Sequence, residues 1–259
     1  MTTSPAFTFE RQGIEMRFRR AALAERVWLT PSYVRVRLRG DELRGFTSLG
    51  DDDHIRIFFP DGDPESVEEL RAAPNREYTP FAWGDDWLEL EFAVHGDDGV
   101  AAPWAATAPL GSVAGVGGPR GSKVLVGRPD AWFLAGDETA LPAIRRYVRA
   151  MDDAAVGRIV IEVADADADH EPAIDAPAGV AVEHVHRGGG APASALTARL
   201  ESLGTPDRPA GDVLGFIAAE QAIVRPGRAL LLDRWNLDAA GVTVKGYWKR
   251  GETEYHAPH

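Results

Sequence analysis

The sequence contains no cysteine among its 259 residues. This absence excludes disulfide bonds, thiolate-held zinc or iron–sulfur sites, and cysteine nucleophiles. Any redox chemistry in this chain must therefore pass its electrons through a bound organic cofactor.

Long apolar runs are also missing. No stretch approaches the ~18 apolar residues that a membrane-spanning helix needs. The N-terminus has no basic region followed by an apolar segment, so an export signal is not predicted. We expect a cytoplasmic protein with no membrane partner.

Positive charge is scarce: 28 Lys and Arg stand against 40 Asp and Glu, a net charge of −12. The halves 1–126 and 127–259 are alike, each with 14 basic and 20 acidic residues. No basic stripe stands out, which argues against nucleic-acid partners. His184 and His186 lie two residues apart and are too few for a metal centre, so no metal site is predicted.

The chain is long enough, and at 44% apolar residues hydrophobic enough, for two domains. Apolar and polar residues alternate over 33–39, 54–59 and 87–94, as in half-buried strands of an antiparallel sheet or barrel. A short helix is expected near 101–106.

The second half has a different rhythm, with a boundary expected near Gly127. Strands alternate with helices, which predicts a parallel, doubly wound sheet. The predicted strands are 132–135, 158–164, 180–186, 212–218 and 242–247. The predicted helices are 138–151, 194–203 and 228–235.

Residues 133–144 read Phe-Leu-Ala-Gly-Asp-Glu-Thr-Ala-Leu-Pro-Ala-Ile. The pattern predicts a strand leading into a helix N-terminus, which Asp137 can cap and where acids suit the helix dipole. In an open α/β sheet such strand ends face the ligand crevice. This segment resembles a signature sequence of siderophore-interacting proteins, which are flavin-dependent ferric-siderophore reductases of the ferredoxin-reductase superfamily.

Other motifs carry the same resemblance in the same order, from about Arg20 to Gly251. Residues 76–79 (Arg-Glu-Tyr-Thr) resemble the Arg-x-Tyr-Thr/Ser motif of flavin reductase barrels. Residues 118–122 (Gly-Pro-Arg-Gly-Ser) and 246–251 (Gly-Tyr-Trp-Lys-Arg-Gly) resemble the family's interdomain turn and C-terminal motif.

The resemblance implies an antiparallel flavin-binding β-barrel, residues 1–126, followed by a parallel nucleotide-binding domain, residues 127–259. It implies FAD as cofactor, NAD(P)H as electron donor and a ferric siderophore as small-molecule substrate. Tyr78 would stack on the isoalloxazine. Thr79 would hydrogen-bond flavin N5, and Arg76 would grip the diphosphate.

The implied site residues fall into three groups. The catalytic group is Tyr78, Thr79, Asp137 and Glu138. The cofactor-binding group is Arg76, Tyr78, Thr79, His95, Gly99, Val100, Ala101, Ala102, Trp104, Asp137, Thr139, Ala140, Tyr247 and Trp248. The substrate-binding group is Arg56, Arg120, Lys249 and Arg250.

The sequence departs from the family pattern at several positions. Phe81 replaces a second arginine of the barrel motif, while Ala102 and Pro103 replace a serine and an arginine. Pro103 also has no backbone N–H to offer a phosphate. Weakened or altered flavin binding is therefore expected. A further departure, Pro226-Gly227, is expected to interrupt the helix that follows Ala219-Glu220.

Two alternatives stay open at this point. One is a repurposed family member with weakened or lost flavin binding, which acts in a biosynthetic reaction that need not be a redox reaction. The other is a module that binds a siderophore or nucleotide without chemistry. The choice between NADH and NADPH, the identity of the siderophore and the oligomeric state do not follow from the sequence.

Overall fold

The computed structural model describes residues 5–94, 99–167, 170–252 and 255. The chain divides into two compact units. The β unit comprises Arg11–Val124, and the α/β unit comprises Leu125–His259 with the first ten residues. Across the described ranges, no helix has the length and apolar character needed to cross a bilayer.

A seven-stranded sheet dominates the β unit, in the order β5-β4-β8-β2-β3-β7-β6 with every neighbouring pair antiparallel. Its strands are β2 (Phe18–Thr30), β3 (Tyr33–Arg39), β4 (Ile55–Phe58), β5 (Asn75–Tyr78), β6 (Ala82–Trp83), β7 (Trp87–Ala93) and β8 (Val113–Gly117). Strands β1 (Phe7–Gly13) and β9 (Gly121–Gly127) form a separate two-stranded sheet. The helical segments are a 3-10 turn (Asp41–Leu43), α1 (Val67–Ala72) and α2 (Ala101–Thr107).

The two edge strands of the seven-stranded sheet are neighbours in sequence. Strand β5 ends at Tyr78 and β6 begins at Ala82. Four residue steps span at most roughly 14 Å, so the opposite edges approach each other and the sheet must curl. We call residues 79–81, which cross this gap, the seam segment. The result is an antiparallel half-barrel.

Alternation along the strands explains the barrel interior. Val34, Val36 and Leu38 of β3 are fully buried. The arginines between them face outward, where Arg35 and Arg37 pair with Glu91 and Glu89 of β7. This arrangement matches the predicted pattern of apolar and basic faces.

The α/β unit contains a five-stranded parallel sheet in the order β12-β11-β10-β13-β14. Its strands are β10 (Ala131–Gly136), β11 (Val156–Val163), β12 (Gly179–His186), β13 (Val213–Glu220) and β14 (Val242–Trp248). The helices are α3 (Leu141–Ala150), α4 (Ser194–Ser202) and α5 (Val224–Arg228), which continues as a π-helix (Ala229–Arg234). Short 3-10 turns lie at Glu138–Ala140, Thr205–Asp207, Gln221–Ile223 and Ala239–Gly241.

Helices cover both faces of this sheet. On one face, Tyr147 of α3 packs against Trp132 and Phe216, with ring centroids 6.2 and 5.2 Å apart. On the other face, Phe133 meets Trp235 at 4.9 Å. The predicted fold class, an antiparallel β-barrel-type sheet followed by a doubly wound parallel sheet, is confirmed. The strand order reverses between β10 and β13, where an open α/β sheet binds its ligands.

The expected interruption at Pro226-Gly227 is wrong. Helix α5 runs through both residues and continues without a break into the π-helix. Pro226 lies in the first turn, where its missing N–H is not needed. Gly227 packs so closely that an added Cβ would lie 3.0 Å from Val244.

Candidate functional site

The predicted flavin motif lies on edge strand β5 and the seam segment. Tyr78 is paired with Ile55 and Arg76 with Ile57, both of which are buried in the barrel core. Directly opposed residues share a face of the sheet, so Arg76 and Tyr78 point to the inner side. The Tyr78 ring packs against Phe92 with centroids 4.3 Å apart.

Two polar side chains on this edge, Thr79 and Arg76, keep hydrogen-bonding capacity that no described residue uses. The Thr79 hydroxyl makes no hydrogen bond within the described part of the chain, although Thr79 is only 6% exposed. To the residues that the structure describes, the Arg76 guanidinium donates a single hydrogen bond, from Nη1 to the carbonyl of Asn75 at 2.6 Å. Burial raises the pKa of the Tyr78 phenol, with a smaller opposing effect of Arg76. Tyr78 therefore stays neutral at physiological pH and can act only as a ring and a neutral hydrogen-bonding group.

Helix α2 offers backbone groups near the same core. Gly99 precedes it with φ of +83°, and Val100 supplies no side-chain cap to its first turn. An uncapped helix N-terminus binds phosphate through backbone N–H groups and the helix dipole. At the other end, Arg26 donates to the carbonyls of Ala105 and Ala108, each at 2.5 Å, which satisfies the C-terminal carbonyls.

A chain of aromatic rings connects α2 with β5. Trp104 of α2 lies 5.2 Å from Phe59, and Phe59 lies 6.4 Å from Phe92, which contacts Tyr78. The structure thus brings together a ring, an open hydroxyl, a mostly unpaired guanidinium and an uncapped helix. These groups fit the ring system and diphosphate of FAD, with Gly99, Val100, Ala101 and Ala102 as the predicted phosphate cradle.

The replaced arginine position is filled. Phe81 is 5% exposed, and the Arg35 guanidinium lies 4.2 Å above its ring. Pro103 occupies the first turn of α2 without an N–H. Because Phe81 serves the packing of the half-barrel, its departure from the family pattern replaces a charged contact with a hydrophobic one.

In the α/β unit, Asp137 clasps the carboxyl ends of three strands. It follows β10, is 2% exposed, and its Oδ2 accepts from the backbone N of Glu220 at 3.0 Å and from Trp248 Nε1 at 2.8 Å. Its Oδ1 accepts from the N and Oγ1 of Thr139 at 2.9 and 2.5 Å. The predicted cap is present, and the carboxylate is fully occupied by structural hydrogen bonds.

Glu138 belongs to a buried charge cluster. Arg187, the residue after β12, contacts Glu138 at 3.3 Å and Glu162 of β11 at 3.6 Å. Glu162 also accepts from the backbone N of Ala193 and Leu196 at 2.8 and 2.9 Å, so it caps α4 from the neighbouring strand. Burial raises the pKa of both carboxyls, for Glu138 with help from Asp137, while Arg187 opposes the shift.

The C-terminal motif residues follow β14. Trp248 is held by Asp137, and the backbone N of Arg250 donates to Glu220 Oε1 at 3.2 Å. Lys249 pairs with Glu252, which raises the pKa of the lysine. Tyr247 lies 6.5 Å from Phe216, ring to ring. The end of β14 is therefore tied to β10 and β13.

The four predicted substrate-binding cations differ from one another in their exposure and in their ion-pair partners. Arg56 lies on the opposite face from Arg76 and pairs with Glu77 at 3.3 Å. Arg120 and Arg250 are exposed, and neither side chain has a partner among the residues described. Arg56 and Arg120 belong to the β unit, whereas Lys249 and Arg250 belong to the α/β unit.

The remaining predicted site residues include Thr139, Ala140 and His95. Thr139 and the fully buried Ala140 form the turn after β10. His95 lies outside the described residues. Sequence reasoning missed Glu162, Arg187 and Glu220 as site-forming residues. A signal existed for Glu162, because it interrupts an otherwise apolar strand core from Ile159 to Val163.

A cavity of about 520 Å³ lies elsewhere, at the amino ends of the parallel strands. Ala131, Val156 and Gly157, at or near the starts of β10 and β11, contribute to its wall with Arg158 and the loop through Pro209. No predicted site residue lines it. Ligands of open α/β sheets bind at the carboxyl ends, so this cavity is not the predicted crevice.

Comparison with known proteins adds two family matches. The model described as Siderophore-interacting FAD-binding domain matches residues 23–123, and the model described as Siderophore-interacting protein matches residues 129–251. The two matches together span most of the chain.

Individual relatives agree with these matches. A ferric vibriobactin reductase, ViuB, of Vibrio cholerae is 29% identical over 245 residues, covering 88% of this chain and 89% of the relative. An NADPH-dependent ferric-chelate reductase of Escherichia coli is 34% identical over 170 residues, covering 60% and 65%. A siderophore utilization protein from T. fusca has a similar structure, with a TM-score of 0.80, 33% identity, and coverage of 96% and 98%.

Proposed function

We propose a function from one premise: the chain belongs to the family of siderophore-interacting proteins, and its β unit contains that family's FAD-binding domain. The proposed function is reduction of Fe(III)–siderophore chelates to Fe(II), with electrons passing from NAD(P)H through FAD. The match of both family models, in order, along one chain is the observation that carries the proposal. The names of the Vibrio cholerae and Escherichia coli relatives support it.

The geometry of the β unit supports FAD binding. Tyr78 presents a neutral ring, Thr79 an open hydroxyl, and Arg76 a guanidinium with one neutral partner. The uncapped first turn of α2 can hold the diphosphate through backbone N–H groups, a mode that does not need the missing serine and arginine. The replacements at Ala102 and Pro103 therefore weaken the phosphate site without removing it.

Bound FAD would supply the conversion between two-electron transfer from a nicotinamide and one-electron transfer to iron. The chain's own residues bind and orient. Tyr78 would cover one face of the ring system, and Thr79 would donate a hydrogen bond at its N5 edge. No protein acid or base is required, which agrees with the structural occupation of the Asp137 carboxylate.

The substrate is proposed to be an anionic ferric chelate. Arg120 is its proposed contact in the β unit, and the contact predicted for Arg250 in the α/β unit stays a separate prediction. Both are exposed and keep their side-chain charges unpaired among the described residues. Arg56 and Lys249 are paired with Glu77 and Glu252, so they present less net charge. Fe(II) binds hard oxygen chelators less tightly than Fe(III), and reduction would therefore release the metal.

The test begins with the absorbance spectrum of the purified full chain, with and without added FAD. NADH or NADPH is then added anaerobically, followed by a ferric siderophore and an Fe(II)-specific chelating dye. We expect flavin bleaching by nicotinamide and dye-trapped Fe(II) after the chelate is added. A protein that neither retains nor takes up FAD contradicts the proposal.

A second candidate is a repurposed family member that binds FAD but does not reduce iron. Phe81 favours it, because the cation expected there is replaced by a buried ring under Arg35. Its mark would be bound flavin that NAD(P)H does not reduce, or reduced flavin that does not pass electrons to ferric chelates.

A further inference from the structure

Arg19 is a buried cation in the half-barrel that no predicted role uses. It lies on β2 opposite Val116, a core residue of β8, so its side chain enters the inner side of the sheet. Arg19 is only 5% exposed. Arginine is rarely buried to this degree without a carboxylate partner.

The guanidinium of Arg19 is poorly satisfied by the protein. Nη1 donates to the carbonyls of Gly118 and Arg17 at 3.2 and 3.4 Å, which are long bonds. Nε is buried and has no hydrogen-bond partner. Within the described ranges Arg19 forms no ion pair, and its Cζ lies 5.4 Å from the centre of the Phe46 ring. Burial lowers the pKa of this arginine and its neighbour Arg17 lowers it further, while Glu15 acts in the opposite direction.

The position of this guanidinium points to one end of the flavin site. Gly118, which accepts its hydrogen bond, lies beside Ile55, since a Cβ added there would be 3.8 Å from Ile55 Cγ2. Ile55 is in turn paired with Tyr78. The guanidinium therefore lies at the level of Tyr78, the residue predicted to stack on the isoalloxazine.

The phosphate end lies further along the barrel. Trp104 of α2 contacts Phe59, which follows β4 and is four residues beyond Ile55. Four residues of a strand span about 13 Å. The Arg19 backbone lies in the row of Val116, Ile57 and Arg76. Its guanidinium reaches from there toward Gly118, at the Tyr78 end of the strands and away from Phe59 and α2.

We propose that Arg19 is a cofactor-tuning residue, whose charge lies beside the isoalloxazine and stabilises the negative charge that this ring gains on reduction. The inference rests on the proposed FAD binding by the β unit. A cation buried in a low-dielectric site acts strongly on a nearby developing charge. A partly unpaired guanidinium also supplies donor capacity through Nη2, for which no partner exists among the described residues.

The test compares the midpoint potential of bound FAD in the wild type, Arg19→Gln, Arg19→Lys and Arg44→Gln. Arg44 is a matched control, because it is an exposed arginine of the same unit and its loss changes net charge equally. We expect Arg19→Gln to bind reduced FAD at least tenfold less tightly relative to oxidised FAD. That corresponds to a potential lower by about 30 mV for a two-electron couple. Arg19→Lys should retain most of the wild-type potential, and Arg44→Gln all of it.

Two further measurements separate the possible failures. Urea unfolding of the apo-protein reports any purely structural role of Arg19, and the dissociation constant of oxidised FAD reports binding. An unchanged potential in Arg19→Gln, with or without a loss of stability, overturns the inference. Absence of FAD binding by the wild type instead overturns the proposed function on which the inference rests.

Discussion

The polar groups at the two predicted cofactor-binding regions differ in how far the protein itself satisfies them. In the β unit, the Thr79 hydroxyl, most of the Arg76 guanidinium and the first turn of α2 have no internal partner among the described residues. In the α/β unit, the carboxylates of Asp137, Glu162 and Glu220 accept hydrogen bonds from backbone or indole donors.

We interpret this difference as one between proposed ligand-binding groups and structural ones. Buried polar groups are normally paired, so open ones at the edge of a core point to a ligand. The acids at the carboxyl ends of the parallel strands resemble catalytic residues in sequence. Their described contacts fix strand and helix ends, and the catalytic role of Asp137 and Glu138 stays a prediction.

The strongest test of this distinction is Arg187→Ala. The substitution removes the cation that contacts the buried Glu138 and Glu162. Breaking a buried ion pair by removing one partner destabilises a protein by about 3–5 kcal/mol. Hydrogen exchange of the full chain, read separately for peptides of each unit, should show this loss in the α/β unit, and FAD affinity should change little. A loss below about 1 kcal/mol contradicts the buried ion-pair role.

Asp137→Ala tests the clasp of the three strand ends. It leaves the backbone N–H of Glu220 and the indole N–H of Trp248 without an acceptor. Each unsatisfied buried donor costs about 1–3 kcal/mol, so we expect a loss of about 3 kcal/mol in urea unfolding. Asp137→Asn, which keeps one accepting oxygen, should lose less. A variant of normal stability whose bound FAD is not reduced by NAD(P)H would instead support the predicted catalytic role.

Thr79→Val tests the β unit in the opposite sense. The change preserves shape and removes a hydroxyl that has no described partner. We expect unfolding to change by less than about 1 kcal/mol, and FAD to bind about fivefold more weakly, since one hydrogen bond contributes about 1 kcal/mol. Fluorescence titration with FAD measures the effect. A large loss of stability with unchanged FAD affinity would remove Thr79 from the site.

The smallest effect concerns pH. Burial raises the pKa of Glu138 in the folded protein above its ordinary value of 4.5. The carboxyl therefore contributes stability that is complete below pH 4.5 and is lost as the pH rises through the folded-state pKa. Glu138→Gln mimics the protonated form, so the variant should gain stability relative to wild type as the pH rises. Urea unfolding at a series of pH values checks the slope, and a relative loss with rising pH contradicts it.

The sequence predicted most elements whose periodicity was clean. Strands β3 and β7 match the alternating segments 33–39 and 87–94 within one residue. Strand β2 (Phe18–Thr30) was missed, because its alanines, arginines and glutamates favour helix over strand. Pairing with β3 on one side and β8 on the other overrides that preference.

The candidate site was predictable where its residues belong to a sequence motif. It was not predictable where residues distant in sequence come together only in the fold. The Arg-x-Tyr-Thr motif located the seam edge, and the cap by Asp137 followed from its position after an apolar run. The charge cluster around Arg187 joins residues 138, 162 and 187 from three separate strand ends. Spacing along the chain carries no information about such a meeting.

The seam segment has a consequence for how the barrel assembles. It connects edge strands β5 and β6, which are only a few residues apart in the chain, whereas β2 and β8 pair residues almost 100 positions apart. Bringing residues that are close in sequence together costs little chain entropy. Once the long-range strand pairs have formed, the edge strands β5 and β6 can therefore approach each other at little further cost. New chain termini placed between Thr79 and Phe81 would turn that short connection into the longest one in the unit. A circular permutant with its termini there should keep its strand pairs, but the edge strands β5 and β6 should move apart at the proposed cofactor-binding edge.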